Sequence, residues 1–275
     1  MMKFCFTVQL SREKRILEGC GELGDVTLVM GRPRSGKSLF LWYLFALLTK
    51  NYRIAELVSD KVLDEGGGVA LEAGGGVLRC VKSSGSVRCS IDGKAEEAYL
   101  FHEGWLFAAK YMQSLPHCSL LDATMGKLLK EIGKRSGKFR YDIDLLRWAE
   151  KTKEGRMLDL AFSSSAVVAV GVLERAFQFD AWLLLDGTLD GLFPEDVLYL
   201  AGVAASGGAR LVVVTHSPWV LDAFRCAGVA AEHFGLPAGR KTVTSYEFTG
   251  GGIAEIGLSA KTYGEVFEEL YVNCG

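Results

Sequence analysis

The sequence predicts an α/β fold with a mostly parallel core sheet, an antiparallel β-hairpin lobe and a helical insert. The core sheet is predicted because short apolar runs, such as residues 26–30 and 181–185, alternate with segments of helical periodicity. The hairpin lobe is predicted because residues 54–101 form short alternating segments separated by glycine-rich turns. We expect one domain in three parts, which are residues 1–118, 119–160 and 161–275.

The composition is that of an ordinary globular protein and argues against two classes of function. The 275 residues include 31 Lys and Arg against 33 Asp and Glu, a formal net charge of -2. This balance does not support a nucleic-acid binder that works by overall charge. The longest apolar run, residues 39–48, is shorter than a membrane-spanning helix, which needs about 20 residues. Since the first residues also lack a signal-peptide pattern, we expect a cytoplasmic protein.

The first part begins with two predicted strands and a helix. Residues 3–9 alternate between apolar and polar side chains, as a half-buried strand does. Residues 26–30 are an apolar run between Gly24 and Gly31, which is typical of a fully buried strand. Residues 38–48 are apolar on every side, so we expect a helix that packs against a sheet inside the protein.

The seven cysteines show no spacing of a zinc or redox motif. The segment VLRCVKSSGSVRC predicts a hairpin that turns on Ser84 and Gly85, which places Cys80 opposite Cys89. Counted outward from the turn, the two occupy a non-hydrogen-bonded pair, where a disulfide is geometrically possible. Two reduced thiols are the favoured interpretation, because disulfides are rare in the cytosol.

The second half of the chain is predicted to contain helices and buried strands. Residues 103–160 have apolar positions at helical spacing around a charged stretch, which predicts a mainly helical segment that includes the insert at 119–160. Its basic residues suit nucleic acid or an acidic partner, but a solvated helical face is the favoured interpretation. These basic residues are Lys127, Lys130, Lys134, Arg135, Lys138 and Arg140. The elements predicted after the insert are a helix at 166–178, a strand at 181–185, a helix at 195–205 and a strand at 211–215.

A segment between the strand at 26–30 and the helix at 38–48 carries the strongest functional signal. It reads Gly31-Arg32-Pro33-Arg34-Ser35-Gly36-Lys37-Ser38 and matches the pattern G-x-x-x-x-G-K-[ST]. Backbone N–H groups in this pattern surround a phosphate, the lysine reaches the β- and γ-phosphates, and the serine hydroxyl binds Mg²⁺. For the side chains of Arg32 and Arg34, the sequence is equally compatible with contact to phosphate or adenine and with exposure to solvent. We predict a phosphate-binding loop.

Two later strands end in polar residues that suit such a loop. Residues 182–185 are apolar and lead into Asp186, and we expect this carboxylate to hold the metal from a neighbouring strand. Residues 211–214 lead into Thr215 and His216. Strands of an open α/β sheet deliver side chains to the phosphate-binding edge at this position, although a lone histidine is more often structural.

In this order, the loop, the strand ending in Asp186 and the strand followed by His216 resemble the ABC-type ATPases. Within that group the chain is similar to the compact SMC, RecF and OLD-like ATP-binding proteins, whose last strand often reads THSP, as residues 215–218 do. The resemblance implies a serine-led signature, and Ser163 lies where that serine is expected. In such proteins the serine binds the γ-phosphate held by a second copy, so that ATP joins two copies head to tail.

The sequence departs from the pattern of these ATPases at several positions. The residue after the metal-binding Asp is normally a Glu that polarises the attacking water, whereas here it is Gly187. Asp190 is the nearest acid, and the sequence does not decide whether it reaches the water. Phe193 stands where the D-loop of these ATPases has an Asp. In these ATPases a glutamine in the Q-loop joins the two lobes. The only candidates for it in this sequence, Glu103 and Gln113, are weak.

The resemblance implies an ATPase with ATP and Mg²⁺ on the phosphate loop, Ser38 and Asp186 as metal ligands, and Asp186 and His216 as catalytic residues. Its expected output is a dimerisation or conformational switch driven by MgATP binding and slow hydrolysis. The partner is a second copy, head to tail, or an unknown protein. A regulatory or scaffold protein that binds ATP without hydrolysis is the alternative. A transporter nucleotide-binding subunit is disfavoured by the missing Q-loop.

The resemblance also implies that the whole chain is a single ATP-binding domain. Residues 1–118 would hold the phosphate loop and the antiparallel lobe, residues 119–160 the helical insert, and residues 161–275 the signature and the strands that carry the acid and the histidine. The adenine pocket is not assigned, because Phe4 and Phe6 alternate with polar residues as core strand residues do.

Overall fold

The computed structural model describes residues 1–11, 15–102, 139–142, 147–151, 157–159, 165–237, 239, 241–249 and 251–256. Its strands are β1 (Met2–Gln9), β2 (Arg15–Leu23), β3 (Val26–Gly31), β4 (Gly68–Ala73), β5 (Gly76–Ser83), β6 (Ser86–Asp92), β7 (Ala98–Phe101), β8 (Phe139–Asp142), β9 (Arg147–Lys151), β10 (Met157–Asp159), β11 (Trp182–Asp186), β12 (Arg210–Val214), β13 (Val243–Phe248) and β14 (Ile253–Glu255). Its helices are α1 (Lys37–Thr49), α2 (Tyr52–Val62), α3 (Ser165–Ala176), α4 (Pro194–Ser206), α5 (Pro218–Arg225) and α6 (Ala227–His233). None of these described helices has the length and apolar character needed to cross a membrane.

A six-stranded sheet forms the predicted parallel core, in the order β14-β13-β3-β12-β11-β7. Its neighbouring strands pair in parallel, except β13 and β14, which are antiparallel. The central strands β3, β12 and β11 are buried along nearly their whole length. Burial on both faces explains why their sequences are continuous apolar runs and do not alternate. The predicted α/β class is confirmed.

A five-stranded antiparallel sheet, in the order β2-β1-β4-β5-β6, forms the predicted hairpin lobe. Two of its turns use residues with positive φ, namely Gly74 (58°) and Gly75 (79°), then Ser84 (53°) and Gly85 (71°). Two-residue hairpin turns that match the twist of the strands require positive φ at both central positions. The predicted turns at the second glycine triplet and at Ser84-Gly85 are therefore confirmed.

Helix α2 occupies residues for which the sequence predicted the start of the antiparallel segments. The Asn51 side chain caps this helix by accepting a hydrogen bond from the Ile54 N–H at 3.2 Å. The buried face of the helix contains Ile54, Ala55 and Ser59, which recur at helical spacing. The strand prediction is wrong here because it overlooked the cap, a stronger local signal than the weak strand preference of the valines in this segment.

The described part of the predicted helical insert consists of strands. Strands β8, β9 and β10 form an antiparallel sheet in the order β10-β9-β8. In β8, Phe139 and Tyr141 alternate with charged residues, a period of two that is typical of a strand. The helix prediction is therefore wrong for these three segments. The rest of the insert, with every residue of the basic cluster except Arg140, lies outside the described residues.

Helix α1 lies between the two large sheets, as its apolar sequence predicts. Phe40 is fully buried, and its ring centroid lies 5.1 Å from that of Phe4 in the antiparallel sheet and 5.5 Å from that of Phe248 in the parallel sheet. Helices α3 to α6 cover the opposite face of the parallel sheet. Full burial of one such side chain is worth about 1.5–3 kcal/mol relative to exposure. This packing fixes the first turn of α1, which begins at the predicted phosphate loop.

Two facing pairs of cysteines are bonded as disulfides in the antiparallel sheet. Cys80 lies opposite Cys89 with Cα atoms 4.1 Å apart, in the register that the hairpin predicts. Cys5 lies opposite Cys20 with Cα atoms 4.0 Å apart. The favoured interpretation of Cys80 and Cys89 as reduced thiols is therefore wrong, because the structure has a disulfide between them. The other pair was not predicted, because the sequence did not identify β2 as the partner of β1.

We expect mass spectrometry of the unreduced, digested protein to find peptides joined through Cys5–Cys20 and Cys80–Cys89. Both Cα separations are below the roughly 7 Å beyond which two cysteines cannot be bridged without backbone movement. Cys226 is free and exposed, so its alkylation before reduction serves as the internal control. Recovery of the four paired residues in alkylated form, from protein purified without reductant, would contradict the prediction.

Candidate functional site

The loop between β3 and α1 is shaped by two glycines, as the predicted phosphate loop requires. Gly31 has a φ of 141° and Gly36 a φ of 94°, values that other residues rarely adopt. A Cβ atom on Gly31 would lie 2.9 Å from the Ser35 Oγ and closer still to the carbonyl oxygen of Phe248. Strand β13 therefore approaches the loop so closely that only glycine fits at its first position.

The Lys37 side chain is buried within this loop and is only 4% exposed. Its Nζ donates hydrogen bonds to the carbonyl oxygens of Gly31 and Arg32, each at 2.8 Å. Burial lowers the pKa of the Lys37 ammonium from its ordinary value, while the carboxylates of Asp186 and Asp190 oppose that shift. The ammonium is thus held at the centre of the loop by two carbonyl oxygens and, at 3.4 Å, by the Ser35 Oγ.

Ser38 and Asp186 meet beside the lysine, although 148 residues separate them in the sequence. The Ser38 Oγ donates a hydrogen bond to the Asp186 Oδ1 at 3.0 Å. Strand β11, which ends in Asp186, is not adjacent to β3, because β12 lies between them. The acid expected on a neighbouring strand therefore lies on the next strand but one from β3. Hydroxyl and carboxylate oxygens are ligands that Mg²⁺ prefers, so this donor set fits that ion.

His216 follows β12 and is exposed at the same edge of the sheet. Its backbone N–H donates to the Asp190 Oδ2 at 3.0 Å, and the Thr215 hydroxyl donates to the Asp190 Oδ1. Thr215 is fully buried, and its Oγ1 also accepts from the Ser217 N–H at 2.9 Å. A single carboxylate therefore connects the loop after β11 with the turn after β12. Sequence reasoning noted Asp190 only as the nearest acid and missed this contact.

A cleft of about 340 Å³ lies against the loop between β3 and α1. Its walls combine loop residues, the predicted histidine and apolar side chains from three other elements. The residues are Val8, Leu17, Pro33, Arg34, Ser35, Gly36, Lys37, Ser38, Leu39, Val62 and His216. Sequence reasoning missed Val8, Leu17 and Val62, since no local signal distinguishes them from other apolar core residues. A volume of this size suits a small-molecule ligand.

The arginines of the loop differ in their placement. Arg34 borders the cleft and has a φ of 66°, in the left-handed region. Arg32 is exposed, and its carbonyl oxygen accepts one of the hydrogen bonds from Lys37. Phe4 and Phe6 are buried in the core between the two sheets, as their alternation predicts.

Gly187 follows Asp186, at the position where the ATPases that the sequence resembles carry a glutamate. It has a φ of 63°, its N–H donates to the Val214 carbonyl oxygen at 3.0 Å, and open space surrounds the position that its Cβ would take.

Ser163 and the two Q-loop candidates lie outside the described residues, so the structure does not test their predicted roles.

Comparison with known proteins bears on the fold. No family model matches the sequence, and no curated protein matches it significantly in sequence. Among solved structures, an Smc head bound to the C-winged helix domain of ScpA is 13% identical, with 94% of this chain and 97% of that chain covered and a TM-score of 0.58. An SMC head domain from Thermotoga maritima is 13% identical over 94% of this chain and 98% of that chain, with a TM-score of 0.45. A nucleotide-free ATP-binding cassette from an ABC transporter is 14% identical over 98% and 96%, with a TM-score of 0.47.

The similarity to the first Smc head shows that this chain has the P-loop ATPase fold of the ABC and SMC type. At 13% identity the similarity concerns the fold, and the site must be argued from its own residues.

We expect Gly31→Ala to lower the free energy of unfolding by more than about 2 kcal/mol. The backbone conformation alone costs a residue with a side chain about 1–3 kcal/mol, and overlap with the Phe248 carbonyl adds to it. Gly191→Ala is the matched control, because open space surrounds its Cβ position, and it should change stability by less than about 0.5 kcal/mol. Urea denaturation measures both. Equal stabilities would contradict the close approach of β13 to the loop.

Proposed function

We propose that this chain is an ATP-binding protein that uses MgATP binding and slow hydrolysis to drive a dimerisation or conformational switch. The contact between Ser38 and Asp186 beside the buried Lys37 ammonium carries this proposal. In P-loop proteins, a lysine, a hydroxyl and a carboxylate serve the phosphates and metal of a nucleoside triphosphate. The P-loop ATPase fold supports the same conclusion.

The residues of the loop divide phosphate binding between charge and backbone. The loop lies at the N-terminus of α1, where unpaired N–H groups and the helix dipole favour an anion. Lys37 exchanges its two carbonyl partners for oxygens of the β- and γ-phosphates. Ser38 and Asp186 would hold Mg²⁺, which would supply positive charge to neutralise these phosphates.

Slow hydrolysis follows from the residue after Asp186. General-base assistance contributes about 10²–10⁴-fold to a hydrolysis rate, and Gly187 has no side chain that could provide it. Both oxygens of Asp190 accept hydrogen bonds from the chain, which connects this carboxylate to the turn that carries His216. We assign to His216, exposed beside the cleft, the contact with the γ-phosphate.

Dimerisation is the finer part of this proposal. The resemblance of the sequence to ABC-type ATPases supports a head-to-tail pair in which Ser163 of one copy contacts the γ-phosphate bound by the other. An unknown protein partner is compatible with the same switch, and the Smc head of similar fold was crystallised with the C-winged helix domain of ScpA.

A regulatory or scaffold protein that binds ATP without hydrolysis is the second candidate. The specific observation in its favour is Gly187, whose left-handed conformation suits glycine and not the expected glutamate. The two candidates share the binding site and differ only in turnover, so one assay separates them.

Single-turnover hydrolysis of MgATP at high protein concentration tests the proposal. The wild type is expected to hydrolyse bound ATP slowly. Lys37→Ala is expected to lose nucleotide binding and turnover, because the phosphates lose their ammonium partner. Unchanged ATP binding by Lys37→Ala would contradict the proposal, and bound ATP without turnover would favour the regulatory candidate.

The same assay includes Gly187→Glu with Gly187→Gln as its matched control. Both side chains carry the same left-handed strain, about 1–2 kcal/mol, but only the glutamate adds a carboxylate. If the site lacks only a base, Gly187→Glu should exceed Gly187→Gln by at least about 10-fold in rate. Equal rates would show that the missing carboxylate is not what limits hydrolysis.

A further inference from the structure

Asp190 connects the two polypeptide segments that border the phosphate-binding edge of the sheet. One of its carboxylate oxygens accepts a hydrogen bond from the Thr215 hydroxyl, and the other accepts from the His216 N–H at 3.0 Å. The Thr215 side chain is fully buried. Its Oγ1 also accepts from the Ser217 N–H at 2.9 Å, so the turn that carries His216 is held at three successive residues.

A second contact between the same segments reinforces this arrangement. The Gly187 N–H donates to the carbonyl oxygen of Val214 at 3.0 Å, one residue before Thr215. The loop after β11 and the turn after β12 are therefore joined at both a backbone and a side-chain contact. The imidazole of His216 itself remains exposed at the cleft and makes none of these bonds.

We propose that Asp190 is a positioning residue, which acts through Thr215 and the His216 backbone to hold the His216 imidazole at the phosphate end of the cleft. The proposal rests on the proposed function, because it assigns Asp190 a part in turnover at that same site. A carboxylate that accepts hydrogen bonds from two groups of the turn fixes both the position and the direction of that turn. A carboxylate has about four acceptor positions and these bonds use two, so the variants below separate positioning from general-base action.

The competing role, general base, makes a different prediction for Thr215→Val. This substitution preserves shape and leaves the Asp190 carboxylate intact, but it removes two of the hydrogen bonds that fix the turn, the one from Thr215 to Asp190 and the one from the Ser217 N–H to Thr215. If Asp190 positions His216, Thr215→Val and Asp190→Asn should both lower the single-turnover rate, by about 10- to 100-fold, while ATP affinity stays within about twofold. If Asp190 were the base, only Asp190→Asn would do so.

Thr188→Val is the matched control. Thr188 lies in the same loop, and its hydroxyl donates to a backbone carbonyl, that of Phe101 at 3.1 Å, without touching Asp190 or His216. This variant loses a threonine hydroxyl and its hydrogen bond from the same loop, so it measures the cost of a local structural change that leaves the Asp190 contacts intact. A loss of rate equal to that of Thr215→Val would overturn the proposal.

A double-mutant cycle with His216→Ala decides whether Asp190 acts through the histidine. Residues that act as one unit are strongly non-additive, so Asp190→Asn should lower the rate by less than about twofold once His216 is alanine. A full effect of Asp190→Asn in the His216→Ala protein would overturn the proposal.

A spectroscopic measurement tests the proposal independently of turnover. The chain has four histidines, and the imidazole C–H resonances of His216 are assigned by their loss in His216→Ala. In the wild type and Thr188→Val, addition of Mg²⁺ with the non-hydrolysable analogue AMP-PNP should shift these resonances. In Asp190→Asn and Thr215→Val the shift should be lost, and its persistence in both would overturn the proposal.

The same spectra separate failure of this inference from failure of the proposed function. If the wild type binds AMP-PNP no better than Lys37→Ala, the proposed function fails. In that case the His216 resonances of the nucleotide-free protein still test the position of the turn. Asp190→Asn and Thr215→Val should shift these resonances, and Thr188→Val should not. Unmoved resonances in the first two variants would overturn the role of Asp190 by themselves.

Discussion

The burial of α1 between two sheets is the constraint on which the rest of the structure depends. A helix that is apolar on every side is stable only where both faces are covered, and one parallel sheet covers one face. The antiparallel sheet covers the other face of the helix, so that Phe40 contacts aromatic rings from both sheets. Because α1 cannot rotate or shift within this packing, Lys37 and Ser38 in its first turn have fixed positions relative to the carboxyl edge of the parallel sheet.

The candidate site balances charge within a confined space. A buried ammonium is costly unless it is hydrogen-bonded and partnered by opposite charge. Lys37 meets this requirement through two loop carbonyls and the nearby carboxylates of Asp186 and Asp190. Each carboxylate is bonded in turn, one to Ser38 and the other to the turn that carries His216. The groups that would serve a nucleotide are therefore ordered by the protein itself.

The sequence predicted the elements with strong local signals and missed those that depend on partners. The buried strands, the loop at Gly31–Lys37 and the hairpin register of Cys80 with Cys89 could be predicted, because apolar runs, glycine spacing and turn residues act over a few positions. Helix α2 and the strands β8 to β10 were misassigned, since short segments with mixed propensity are decided by what they pack against. The pairing of Cys5 with Cys20 required the partner strand, which no local pattern identified.

The sequence by itself determined the fold class, the glycine-bounded loop between β3 and α1, and the identity of Asp186 and His216 as polar residues at the ends of two buried strands. Only the tertiary structure decided that β12 lies between β3 and β11, that Ser38 reaches Asp186 across it, and that Asp190 holds the turn of His216. It also placed Val8, Leu17 and Val62 beside the loop. The physical reason is range: periodicity and turn chemistry act between near neighbours in the chain, whereas strand order and side-chain contacts join residues far apart in sequence through burial of a common core.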